Sequence, residues 1–160
     1  MRVLNGFHGC TNLTEINIPN GVTTIGLTAF GGCTSLTSIS IPNSVTTIDG
    51  SAFSGCSNLT TVTLSNSITS IDESTFMECS NLANISIPET VTNIGVAAFQ
   101  KCSSLTNVSI PDNVTALGSG AFSYCTSLTS LYIGSGATSI ASTIVTNCIN
   151  LTSLQVSQNN

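Results

Sequence analysis

Seven cysteines are the side chains of this sequence best suited to chemistry, and their spacing restricts what they can do. They stand at Cys10, Cys33, Cys56, Cys79, Cys102, Cys125 and Cys148, a constant step of 23 residues. Zinc would need close thiol pairs or histidines at ligand spacing, and the chain has no C-x-x-C and a single histidine. Equivalent positions of stacked repeats sit close enough for disulfides, but their side chains point alike instead of toward one another. Because free cysteine is a small, readily buried hydrophobe, the spacing predicts a reduced ladder in a core. Disulfide pairing in an oxidising compartment is the alternative.

Acid–base chemistry has less to work with. His8 lies between Phe7 and Gly9 with no evident partner, and Asp49, Asp72, Glu73, Glu78, Glu89 and Asp112 fall at differing positions of the repeat. A general base must be held by a third group, and no such convergent set is visible. The expectation is therefore no enzyme, no catalytic residue, no metal site and no cofactor. Two basic residues, Arg2 and Lys101, face seven acidic ones. Without a Lys/Arg cluster, neither nucleic acid nor an anionic membrane surface is an expected partner. No apolar stretch approaches bilayer-spanning length, and the first eight residues hold no apolar run of signal-peptide length.

Six Asn-x-Ser/Thr sequons occur, at Asn12, Asn58, Asn84, Asn107, Asn113 and Asn150. With 16 Asn and 49 Ser plus Thr in 160 residues, chance alone supplies roughly five, so their number carries no information. Placement says more, since Asn84 and Asn107 occupy one repeat position in adjacent units. Glycosylation there is an expectation for a secreting eukaryotic source.

The elements that position all these groups repeat with the cysteines. The 23-residue step carries Leu13 to Leu151 and Phe7 to Phe122, and the pattern L-x-x-I-x-I-P-x-x-V-T-x-I-G-x-x-A-F-x-x-C is almost unbroken from Leu36 to Asn58. A fixed period of this size signals a solenoid. Within each unit the run exemplified by Leu36 to Ile41 reads as a short strand, which Pro19, Pro42, Pro88 or Pro111 ends. A second apolar beat follows at Val45 and Ile48, and a turn or one 3-10 turn fits between Phe53 and Cys56. One rung cannot bury its own apolar residues, so rungs must stack, with strands about 4.8 Å apart in a parallel sheet. This predicts a single domain over 1–160: a partial unit 1–12, units 13–35, 36–58, 59–81, 82–104, 105–127 and 128–150, and a partial unit 151–160.

The recurring I-P-x-x-V-T-x-I-G-x-x-A-F-x-x-C resembles the BspA-like, Treponema pallidum-type class of leucine-rich repeats from about Phe7 to Val156. The resemblance implies a curved, β-rich right-handed leucine-rich-repeat solenoid, with a parallel sheet on its concave side and short turns or 3-10 segments on the convex side. It also implies segments of surface or secreted proteins of gut, oral and parasitic microbes, many resembling adhesins. An extracellular or cell-surface module for adhesion or protein interaction, with a protein or glycan ligand, is the function it suggests.

Leucine-rich repeats most often bind through the outward strand positions. These are Glu15 and Asn17, Ser38 and Ser40, Thr61 and Thr63, Asn84 and Ser86, Asn107 and Ser109, Ser130 and Tyr132, Ser153 and Gln155. The face is hydroxylic and nearly neutral, with Tyr132 its one aromatic anchor. Ser65 and Gly134 replace the proline, Ala137 the valine and Val145 the phenylalanine, so the last rungs should be the least stable. The two partial units together make 22 residues, one short of a period. That suggests head-to-tail assembly into a filament; a fragment of a longer array is the alternative.

Overall fold

The computed structural model describes residues 3–157. Met1, Arg2 and residues 158–160, the outer ends of the two partial units, lie outside the described residues.

The chain is a parallel β-solenoid of about seven turns with no helix among the described residues. A rung has up to two strand segments. The first follows the leucine: β3 (Ser38–Ser40), β5 (Thr61–Thr63), β8 (Asn107–Ile110), β10 (Ser130–Ile133) and β12 (Ser153–Val156). The second coincides with the second apolar beat and is only two residues long: β1 (Val3–Leu4), β2 (Thr24–Ile25), β4 (Thr47–Ile48), β6 (Ser70–Ile71), β7 (Asn93–Ile94), β9 (Ala116–Leu117) and β11 (Ser139–Ile140). Every strand pairing is parallel and steps by 23 residues, as in Ser38 with Thr61 or Ile94 with Leu117, except that of β1 with β2, where Val3 meets Thr24, a step of 21. Between Phe and Cys the chain forms successive turns, without a 3-10 segment.

Stacking gives each repeated apolar position its own column. Phe30, Phe53, Phe76, Phe99 and Phe122 are fully buried, with Phe7 half-buried beneath them. Successive ring centroids are 5.2–5.5 Å apart and the planes lie within 11° of parallel. That exceeds the strand spacing of about 4.8 Å, so the rings are offset, the arrangement their quadrupoles prefer. In the rung starting at Leu128, Val145 ends the aromatic column and is itself only half-buried. Gly134 sits where this rung passes close to the one before: a Cβ there would lie 2.6 Å from the Asp112 amide and the Pro111 carbonyl. The proline position is bare at this point because the neighbouring backbone occupies its space.

The turn beside the phenylalanines holds the rungs together most continuously. In the unit from Leu13, the amides of Ala29, Gly31 and Cys33 donate back within the rung, to Gly26, Thr28 and Phe30. Those of Thr28, Phe30 and Gly32 donate forward, to carbonyls of Gly50, Ala52 and Ser54 at 3.2, 2.8 and 2.7 Å. Alternation of this kind requires the backbone to reverse sense, and Thr28 and Gly32 have φ of 52° and 71°. The phenylalanine bond recurs from Phe7 to Phe122, always 2.8–3.0 Å long.

The strand ladders are less regular than the sequence suggests. Among the described residues the rungs starting at Leu13 and Leu82 have no first strand, so that sheet divides into β3–β5 and β8–β10–β12. The second ladder breaks elsewhere, between β4 and β6. Consequently every rung still pairs with the next through at least one ladder. Hydroxyl bonds run beside both ladders. Thr60, Thr106, Thr129 and Thr152 each donate a side-chain bond to the carbonyl 23 residues earlier, at 3.0–3.4 Å. Thr46, Thr92, Thr115 and Thr138 do the same beside the second strands. Ala83 stands in the first of these columns without a hydroxyl, and its rung is the interior one whose first strand is lost. Near the second break, Ser65 replaces proline and turns its Oγ to the Val45 carbonyl at 2.6 Å.

Truncating the middle of the aromatic column tests this account. Phe76→Ala removes a fully buried ring stacked on both sides and is expected to cost about 3–5 kcal/mol in urea unfolding. A loss below about 1 kcal/mol would mean that the column contributes no more than a surface residue does.

Candidate functional site

Alternation along the first strands buries Ile39, Val62, Val108 and Leu131 and turns their neighbours outward. Of the fourteen predicted face residues, Ser130 and Ser153 are half-buried and the other twelve exposed. They form two columns in register wherever the strands pair: Asn107, Ser130 and Ser153 in one, Ser109, Tyr132 and Gln155 in the other. Asn107 anchors a small network, its Oδ1 accepting from Ser130 Oγ at 2.6 Å and Thr129 Oγ1 at 3.3 Å. The sequons at Asn12, Asn58, Asn84, Asn107, Asn113 and Asn150 are likewise exposed.

Where the ladder is interrupted this face opens. Between the rungs from Leu13 and Leu36, a cleft of about 470 Å³ is lined by Glu15, Ile16, Asn17, Ser38, Ile39 and Ser40. A smaller one of about 230 Å³ lies against Thr63, Ser86 and Pro88, beside the second interruption. Six of the face residues thus border openings in which strand edges lack their ladder partners. Sequence periodicity could not reveal them, because it treats all rungs alike.

The cysteines present no reactive centre. All seven are free thiols, Cys33 to Cys125 buried and Cys10 and Cys148 half-buried. Each Sγ from Cys33 onward donates to the carbonyl of the phenylalanine 26 residues earlier, at 3.0–3.2 Å. Burial, reinforced by a neighbouring thiol, pushes Cys56 and Cys125 up to about 12, and Cys79 and Cys102 go well above the ordinary thiol range for the same reasons. Protonated thiols are poor nucleophiles and poor metal ligands. No cluster of three or more metal-ligating side chains exists among the described residues, and His8 is exposed.

A further group escaped the sequence reading. Lys101 Nζ donates to Glu78 Oε1 at 2.6 Å, and both side chains are half-exposed. The Glu78 carboxylate holds the ammonium above its usual range. With Tyr124 they stand at one repeat position, which is Gly9, Gly32 and Gly55 in earlier rungs. Their shared spacing was a signal that could have found them.

The thiol ladder makes a prediction about accessibility and pH. Alkylation of the folded protein near neutral pH should reach Cys10 and Cys148 first, the inner five reacting only on denaturation. Unfolded thiols ionise from about pH 8.5 while Cys56, Cys79, Cys102 and Cys125 stay protonated in the fold. The stability this contributes is fully present below that pH and is lost as pH rises toward the folded value of about 12. The urea midpoint should accordingly hold steady to about pH 8 and fall above pH 9; fast labelling of all seven at neutral pH would contradict the buried ladder.

The sequence pattern of the BspA type leucine rich repeat region matches residues 4–123 and 93–160, in six copies. None of the curated proteins matches the chain. Among solved structures it is similar to a leucine-rich repeat protein of Treponema pallidum, with 34% identity and a TM-score of 0.82 over 89% of this chain and 66% of that one. A leucine-rich repeat protein from Bacteroides ovatus is 27% identical, with a TM-score of 0.71 over 96% of this chain and 45% of that one. A leucine-rich cell surface protein from Faecalibacterium prausnitzii is 32% identical, with a TM-score of 0.68 over 89% of this chain and 32% of that one. The chain therefore spans less than two thirds of the length of each of these proteins. The periodic core, the fold and the matched pattern agree: the chain belongs to the BspA-type leucine-rich-repeat family.

Proposed function

We propose that this chain is a non-catalytic, extracellular or cell-surface repeat module that binds a protein partner through its outward first-strand face, in adhesion or in protein interaction. The observation that carries the reading is the cleft between Glu15–Asn17 and Ser38–Ser40, where exposed side chains adjoin strand edges that the ladder leaves open. Unpaired strand edges and flanking hydroxyls suit an extended peptide segment, which gains main-chain hydrogen bonds there. The family consists of repeat scaffolds for protein interaction or structure, and the Faecalibacterium relative is described as a cell surface protein. Beads coated with the chain should adhere to epithelial layers and lose adherence after the layer is treated with protease. Ser38→Arg with Ser40→Arg, both at exposed positions, should abolish adherence with the fold intact. Adherence unchanged by that pair, or by protease, would overturn the reading.

A second reading, head-to-tail assembly, is favoured by one observation. Leu154 and Val156 of β12 are half-exposed although they occupy core positions, and Phe7 and Cys10 of the first rung are only half-buried. If copies stack, Leu154→Lys with Val156→Asp should reduce the sedimentation coefficient of concentrated protein to that of a monomer, because unpaired charge is costly where an interface would bury it. A wild type that sediments as a monomer at the same concentration would exclude assembly.

A further inference from the structure

The repeat position occupied by Gly9, Gly32 and Gly55 is left-handed in every rung described, with φ between 59° and 73°. The conformation is imposed by the fold, because it turns the amide toward the next rung: Gly55 N reaches the Met77 carbonyl at 2.7 Å and Lys101 N the Ser123 carbonyl at 2.8 Å. Glycine makes this bond without steric strain. Yet the following rungs carry Glu78, Lys101, Tyr124 and Asn147, and the first three contribute little burial: the ring of Tyr124 leaves the residue 45% exposed, and Lys101 and Glu78 side chains are 50% and 47% exposed. Thr28, Ser51, Ser74 and Ala97 are left-handed as well, so it is the grouping of three long polar side chains along one groove, outside the core, that points to a role in binding.

Together they border a groove of about 600 Å³ whose other lining includes Gly55, Ser80 and Ser103. That volume lies within the range of small-ligand sites. Gly55 leaves one end bare, and Tyr124 stands two rungs beyond Glu78, roughly 10 Å away by the strand spacing. Between them lie one anionic acceptor and one cationic donor already held at 2.6 Å from each other. A vicinal diol matches such a pair, one hydroxyl donating to the carboxylate and the other accepting from the ammonium. Ser80 and Ser103 give their protons to the carbonyls of Ser57 and Ser80, which leaves their oxygens free to accept. Tyr124 offers a ring face to the apolar side of a pyranose. An ion pair neutral overall gives no preference for a charged ligand.

We infer that Glu78, Lys101 and Tyr124 form a saccharide-binding groove along the edge of the solenoid, separate from the strand face and taking a neutral disaccharide-sized unit. The glycine column supplies variants that the backbone already accommodates in earlier rungs. Tyr124→Gly and Lys101→Gly place at these positions the residue the backbone prefers, and each should raise the thermal midpoint by about 2–4 °C.

Nitrogen-15 labelled protein is titrated with lactose, cellobiose, maltose and chitobiose, with amide shifts read across the chain. At least one of the four should move the amides of Glu78, Lys101 and Tyr124 together. Tyr124→Gly should weaken that binding about tenfold or more while remaining folded. Shifts confined to the strand face, no shifts with any of the four sugars at tens of millimolar, or equal affinity in Tyr124→Gly would each overturn the assignment. Because the face variants Ser38→Arg and Ser40→Arg leave this groove untouched, failure of the adhesion reading and failure of this one are separable.

Discussion

The forward bond from each phenylalanine amide to a carbonyl of the next rung is the constraint on which the rest of the molecule depends. It is the contact that persists where the two strand ladders are interrupted, and it fixes the vertical spacing of the rungs. With the spacing fixed, the rings attached to the same residues must stack, at 5.2–5.5 Å and nearly parallel. The phenylalanine carbonyl then faces the following cysteine thiol, which donates to it. Backbone ladder, aromatic column and thiol column are three results of one arrangement. Each aromatic pair adds about 0.5–1.5 kcal/mol beyond simple burial, so the turn side contributes both geometry and stability.

The same logic explains a composition in which charge is scarce and hydroxyls abundant. Many of the hydroxyls tie rungs together, donating to the carbonyl one period earlier. A threonine hydroxyl suits this because its short, β-branched side chain stays close to the strand and loses little freedom there. Net worth is modest for any one such bond, about 1 kcal/mol or less at an exposed position. Ala83, which has no hydroxyl, lies in the interior rung that leaves the first-strand sheet.

A solenoid of this kind separates the parts that must repeat from the parts that need not. The buried columns tolerate few changes, because each residue packs on its equivalents above and below. The outward strand positions and the left-handed column are free to vary, and there the chain departs from uniformity: Tyr132 on the face, Glu78, Lys101 and Tyr124 at the edge. Left-handed backbone costs a non-glycine residue roughly 1–2 kcal/mol, so the edge residues are held at some expense to stability. No helix among the described residues is long and apolar enough to cross a membrane.

Periodicity alone determined the unit length, the columns of the core, the alternation that turns Ser38, Thr61 and Asn107 outward, and the common column in which the cysteines stand. These are legible because burial depends on residue type and spacing, and both are printed in the sequence. Only the tertiary structure decided which rungs pair, because a ladder depends on small backbone displacements that a single missing hydroxyl at Ala83 accompanies. It alone revealed the left-handed residues as well, since backbone sense at Thr28 or Lys101 is dictated by an amide that must reach the adjacent rung and not by the side chain it carries. The pairing of Glu78 with Lys101 lay between the two. Their separation of one period was readable, but closeness at the surface follows only from how the rungs stack.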